Sequence, residues 1–136
     1  MARTSGELKA GERLAALAAL ARRREAGLRA ALARMTVAAR EAEAVVTACE
    51  QACDAQRRVW QDALSRGGVY GRREAAGAPS AVEALRAALG EARNRHSAAL
   101  AHAQLADAEV RQQRERLQAN ARKQEKLREL LTLYRR

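Results

Sequence analysis

The sequence predicts an all-α protein, two long helices forming an antiparallel coiled-coil hairpin, and three observations carry that prediction. Aromatic residues are 2% of the 136 residues and Phe is absent, while the hydrophobic fraction is 48%, supplied mostly by Ala and Leu. Such a composition, mixed with abundant Arg, Glu and Gln, suits long helices better than a thick core. Uncharged positions recur at a period of 3.5 in both halves of the chain, the mark of a coiled-coil seam. Between the halves lies RGGVYGRREAAGAPS, residues 66–80, which holds four of the eight glycines and the only proline.

The first helix is expected over about residues 6–65. Its seam runs through Leu28, Leu32, Met35, Ala39, Ala42, Val46, Cys49, Cys53, Gln56, Trp60 and Ala63, none of them charged. Upstream, Leu14, Leu17 and Leu20 join that seam only if the spacing shifts near RRREAG, a stutter with Gly27 as its weak point.

The segment 66–80 is the connector at the hairpin tip. Gly67 and Gly68 are suited to end the first helix, and Pro79 with Ser80 to begin the second. Val69 and Tyr70 are its bulky apolar pair, flanked by Arg66, Arg72 and Arg73. Its length exceeds the roughly two to eight residues usual between bundle helices, so it is either a flexible connector or a docking tip.

The second helix is expected over about residues 80–134. From Val82 its seam passes through Leu85, Leu89, Ala92, His96, Ala99, Ala103, Ala106, Val110, Gln113, Leu117, Asn120, Gln124, Leu127, Leu131 and Tyr134. None of these sixteen is charged, although 19 of the 55 residues from 82 to 136 are. The two seams match without insertion when Trp60 faces Leu85, Cys53 Ala92, Cys49 His96, Val46 Ala99, Ala42 Ala103, Met35 Val110 and Leu28 Leu117. Gln113, Asn120 and Gln124 cluster toward the open end, which is therefore expected to be less tightly zipped. Ion pairs at helical spacing, such as Glu25 with Arg29, read as an outer solvated face.

Charge and motif content exclude most chemistries. The net charge is +10, and residues 111–136 carry nine Lys or Arg against three Glu. Arg22, Arg23 and Arg24 add to the same end. Phosphate loops and nucleophile elbows are absent from the sequence, and a two-helix hairpin encloses no pocket, so no catalytic residue and no cofactor is expected. Cys49, Cys53 and His96 meet across the proposed register. Three ligands leave a zinc site open, however, and the cysteines read as small core hydrophobes, so no metal is expected. No run reaches a membrane span and the N-terminus lacks a signal-peptide core, so a cytoplasmic location without membrane insertion is expected. The two cysteines suit a reduced compartment. Nucleic-acid binding is not the expected use of the basic end, because no reading motif or stacking platform accompanies it.

The whole layout resembles the FliJ/YscO/HrpB-type (SctO-like) family, central stalk proteins of flagellar and virulence type III secretion. The resemblance covers nearly all of the chain and lies in its length, its basicity, its two Ala/Arg/Leu/Gln-rich helices, its single connector and the ending RQQRERLQANARKQEKLRELLTLYRR. It implies a non-enzymatic coupling part for protein transport that links a hexameric secretion ATPase to the cytoplasmic domain of the export gate membrane protein, peripherally at the inner membrane. By position, it implies an ATPase-facing end made of Leu14, Leu17, Leu20, Arg22, Arg23, Arg24, Arg122, Lys123, Lys126, Arg128, Leu131 and Tyr134. It likewise implies a gate-facing tip made of Arg66, Val69, Tyr70, Arg72 and Arg73. Some family members also bind secretion chaperones, yet the sequence marks no exposed apolar stripe for them. A homo-oligomeric coiled-coil scaffold, a chaperone-binding adaptor and a basic nucleic-acid-binding coiled coil are the rival readings.

Overall fold

The computed structural model of the protein describes residues 4–66 and 78–135. They form two long helices that pack against each other as an all-α helical hairpin, with α1 spanning Ser5–Arg66 and α2 spanning Ala78–Arg135. No strand occurs among the described residues. Of the connector positions, Arg66 is the exposed last residue of α1; Val69, Tyr70, Arg72 and Arg73, like Gly67 and Gly68, lie outside the described residues.

Both helix starts have a local chemical cause. Thr4 and Glu7 form a capping box: the Glu7 N–H donates to Thr4 Oγ1 at 3.2 Å, and the Thr4 N–H donates to Glu7 Oε2 at 3.1 Å. Two otherwise orphaned donors are satisfied by this exchange, and the Glu7 carboxylate sits favourably at the positive end of the helix. Pro79 lies in the first turn of α2, where a missing N–H costs no helical hydrogen bond.

The chain divides into two compact units. A terminal unit comprises Met1–Val37 with Asp107–Arg136, and an inner unit comprises Ala38–Ala106. The core of the inner unit is small-residue packing: Ala42, Val46, Ala99 and Ala103 form one buried cluster, with Cys49 and Ala106 against it. A second cluster joins Cys53, Leu89 and Ala92, with Trp60 packed on it. Leu89 is only 2% exposed and is the bulkiest fully enclosed side chain of these clusters. The expected pairs Val46 with Ala99, Ala42 with Ala103 and Cys53 with Ala92 each fall within one cluster.

Burial follows the predicted seams closely in α2. Fifteen of the sixteen positions are buried or half-buried, and Tyr134 stands exposed at 38%. All eleven α1 positions from Leu28 to Ala63 are likewise shielded.

Upstream of Leu28 the structure overturns the predicted stutter. Leu14, Ala18, Ala21 and Glu25 are shielded and continue the 3.5 period without interruption, with Ala10, Gly11 and Ala19 half-buried beside them. Leu17 and Leu20 point outward at 49% and 48% exposure. The physical reason is a polar layer across the seam of the terminal unit. Asn120 Nδ2 donates to the Ala21 carbonyl at 3.0 Å, Gln113 Nε2 to the Leu28 carbonyl at 3.0 Å, and Gln124 Nε2 to Glu25 Oε2 at 2.8 Å. A carboxylate is tolerated at a seam position when a donor faces it, and a methyl side chain at position 21 leaves the backbone carbonyl reachable. The same bonds correct the expectation of a loosely zipped end: Gln113 and Asn120, at 2% and 4% exposure, are among its most buried side chains.

Gly27 is no kink. It is exposed within regular helix, its φ is negative, and an added Cβ would meet nothing within 4 Å. Gly27→Ala should therefore stabilise the fold by about 0.5–1 kcal/mol, because alanine loses less backbone entropy on folding. Urea unfolding followed by helical circular dichroism measures this, and a loss of stability would show that the glycine is required by the backbone.

Candidate functional site

Charge is distributed very unequally between the units. The terminal unit contains 17 Lys or Arg against 8 Asp or Glu, whereas the inner unit contains 9 against 8. The terminal unit thus holds +9 of the net +10, which makes it the electrostatic focus of the chain.

Within that unit, three concavities follow one another along a single flank of the helix pair. The first, of about 410 Å³, is lined by Gly6, Lys9, Ala10, Arg13, Leu14, Leu130 and Tyr134. The second, of about 290 Å³, shares Leu130 and adds Leu17, Leu20, Ala21, Arg24, Asn120, Lys123, Lys126 and Leu127. The third, of about 250 Å³, shares Arg24, Asn120 and Lys123 and adds Leu28, Arg116 and Ala119. Six cationic side chains line this groove and no carboxylate does, although the unit has eight.

The polar seam runs beside the groove, and of its residues only Asn120 lines it. Asn120 uses its amide N–H₂ on Ala21, but its Oδ1 is buried without a partner. Glu25, whose side chain is 29% exposed, accepts from Gln124 and from Arg29 at 2.7 Å. The Gln124 bond first, then the Arg29 bond, holds its carboxyl below the usual carboxylate range, against a smaller opposing effect of burial. A depressed folded-state pKa contributes stability above the unfolded value, near pH 4.3, and that contribution is lost as pH falls through the folded value. Thermal unfolding scanned from pH 7 to pH 3 should show the wild type losing stability below roughly pH 4 more steeply than Glu25→Gln. Parallel curves for the two proteins would mean that Glu25 has no such role.

The structure brings together part of the sequence-predicted ATPase-facing set. Leu17, Leu20, Arg24, Lys123 and Lys126 share one concavity, and Leu14 shares another with Tyr134. Leu131 is half-buried in the seam, and Arg22 and Arg23 are exposed outside the groove. Arg122 lies instead on an outer surface with Glu125 and Glu129, and Arg128 pairs with Glu125 at 3.2 Å. Sequence reasoning missed Lys9, Arg13, Arg116, Leu127 and Leu130 as groove residues. The available signal was heptad spacing beside the seam: Leu17 and Arg24 are seven apart, as are Arg116, Lys123 and Leu130. Leu17, Leu20 and Leu130 are exposed along this groove, an apolar strip that the sequence reading did not mark.

In the inner unit the cysteine and histidine residues have structural surroundings. Cys53 is buried against Leu89 and Ala92, Cys49 is half-buried, and both are free thiols. His96 Nε2 lies 3.6 Å from Glu50 Oε1. No group of three or more His, Cys, Asp or Glu able to hold a metal ion occurs among the described residues. No described helix is long and apolar enough to cross a membrane. Comparison of the chain with protein families, curated proteins and solved structures finds no match to any of them.

Proposed function

We propose that the chain is a non-enzymatic central stalk of a type III secretion ATPase complex, located in the cytoplasm and held peripherally at the inner membrane. In this reading it couples a hexameric ATPase to the export gate. The observation that carries it is the concentration of +9 on the unit formed by Met1–Val37 and Asp107–Arg136. A helix pair basic at its terminal unit and near-neutral in its inner unit is suited to enter an acidic ring lumen with one part and to leave the other free. The resemblance in sequence layout supplies the identity of the ring. Adding the protein to the secretion ATPase encoded in the same genome should raise its hydrolysis rate or promote ring assembly. Absence of both effects would overturn the stalk reading.

Exposed Leu64, Leu100 and Leu105 on the near-neutral inner unit favour one second reading, a homo-oligomeric scaffold in which two hairpins share that apolar surface. Light scattering decides between them, since a stable dimer in the absence of any ATPase would support the scaffold.

A further inference from the structure

The groove along the terminal unit has a character that a general basic surface does not. Leu14, Leu17, Leu127 and Leu130 supply its apolar lining, and every charged side chain that lines it is cationic, with Glu125 and Glu129 only on the adjoining surface beyond Lys123 and Lys126. From Lys9 to Leu28 it extends roughly 30 Å at 1.5 Å per residue, the length of about five helical turns. Exposed leucines ordered along a concave strip are read by side chains from a facing helix, as ridges enter grooves. Nucleic acid needs the cations but has no use for the leucine floor, and a flat lipid surface does not enter a concavity. A second copy of the terminal unit is disfavoured because it would place like charges together.

We propose that this flank is the docking groove for an acidic amphipathic helix of a partner protein, with apolar side chains on the leucine floor and carboxylates against Arg24, Arg116, Lys123 and Lys126. The identity of the partner rests on the stalk reading, but the chemistry of the groove does not. Docking would reduce the exposure of Leu17, Leu20 and Leu130 while neutralising cations that otherwise repel one another.

The test uses the full chain and a fluorescein-labelled synthetic helix of 18 residues, about 27 Å long. Leu occupies its i, i+3, i+4 and i+7 face and Glu the flanking positions, and a staple maintains helicity. Fluorescence anisotropy should show saturable binding that weakens with salt, with a companion peptide carrying Lys for Glu at least about tenfold weaker. Leu17→Glu and the double variant Lys123→Glu/Lys126→Glu alter exposed groove residues and should retain helical circular dichroism. Each should weaken binding by about tenfold or more. The proposal is overturned by no binding of the Glu peptide at about 100 μM, by equal binding of the Lys peptide, or by binding indifferent to these variants. Binding of a 20-base-pair duplex, or of vesicles containing 30% phosphatidylglycerol, with none of the Glu peptide would replace it with a nucleic-acid or a lipid interface. No ATPase enters this experiment, so peptide binding without ATPase stimulation would retain the groove and remove the stalk.

Discussion

Leu89→Ala should destabilise the inner unit by about 3 kcal/mol, a large loss for a single truncation. The residue is 2% exposed and sits between Cys53 and Ala92, with Trp60 against the same cluster. Its neighbours are small or rigid, and helices already packed through alanines have little side-chain bulk with which to fill the space left behind. Both the transfer free energy of the lost carbons and the cost of the cavity are therefore felt. Trp60, the single tryptophan, reports the event directly. Urea titration followed by Trp60 emission and by helical circular dichroism should place the variant midpoint well below the wild type. Leu105→Ala is the control, because Leu105 is 66% exposed and its truncation should change stability by less than about 0.5 kcal/mol. Equal effects at the two positions would mean that the cluster around Leu89 is not a stabilising core.

Asn120→Leu should act in the opposite direction and raise stability by about 1–3 kcal/mol. Asn120 is 4% exposed, and only one of its two polar atoms is satisfied, through Nδ2 to the Ala21 carbonyl. That carbonyl lies in the interior of α1, where the helix supplies its own donor, so losing the second bond leaves no orphaned group. The buried Oδ1, by contrast, bears a desolvation cost without return. Leucine branches at the same carbon and, although larger, removes that cost. What the substitution should lose is specificity, since a polar seam residue penalises every register in which it has no partner. Chemical denaturation should show a higher midpoint, while light scattering or cross-linking of engineered cysteine pairs should show additional registers or oligomers. A destabilised Asn120→Leu would mean that the bond to Ala21 outweighs the burial of Oδ1.

Most of the fold was legible because it depends on local patterning. Alanine-rich, charge-flanked stretches propagate helix, and a 3.5-residue exclusion of charge aligns one stripe on each helix. The α2 seam could be followed from Val82 to Leu131 because no position in it needs a partner's identity to be recognised. The groove was less legible for the same reason that the stutter was predicted wrongly. Treating Leu17 and Leu20 as seam residues moved them from the flank to the core, and so removed the floor on which the flanking cations are arranged.

The sequence by itself determined that this chain would be two helices with uncharged seams and a basic terminal region, because helix propensity and hydrophobic period are properties of single stretches. Only the tertiary structure decided that Glu25 occupies the seam while Leu17 and Leu20 leave it. A carboxylate is excluded from a seam by default and becomes acceptable there only when donors such as Gln124 and Arg29 reach it. Gln124 is ninety-nine residues away in the chain, so no period within either helix contains that information.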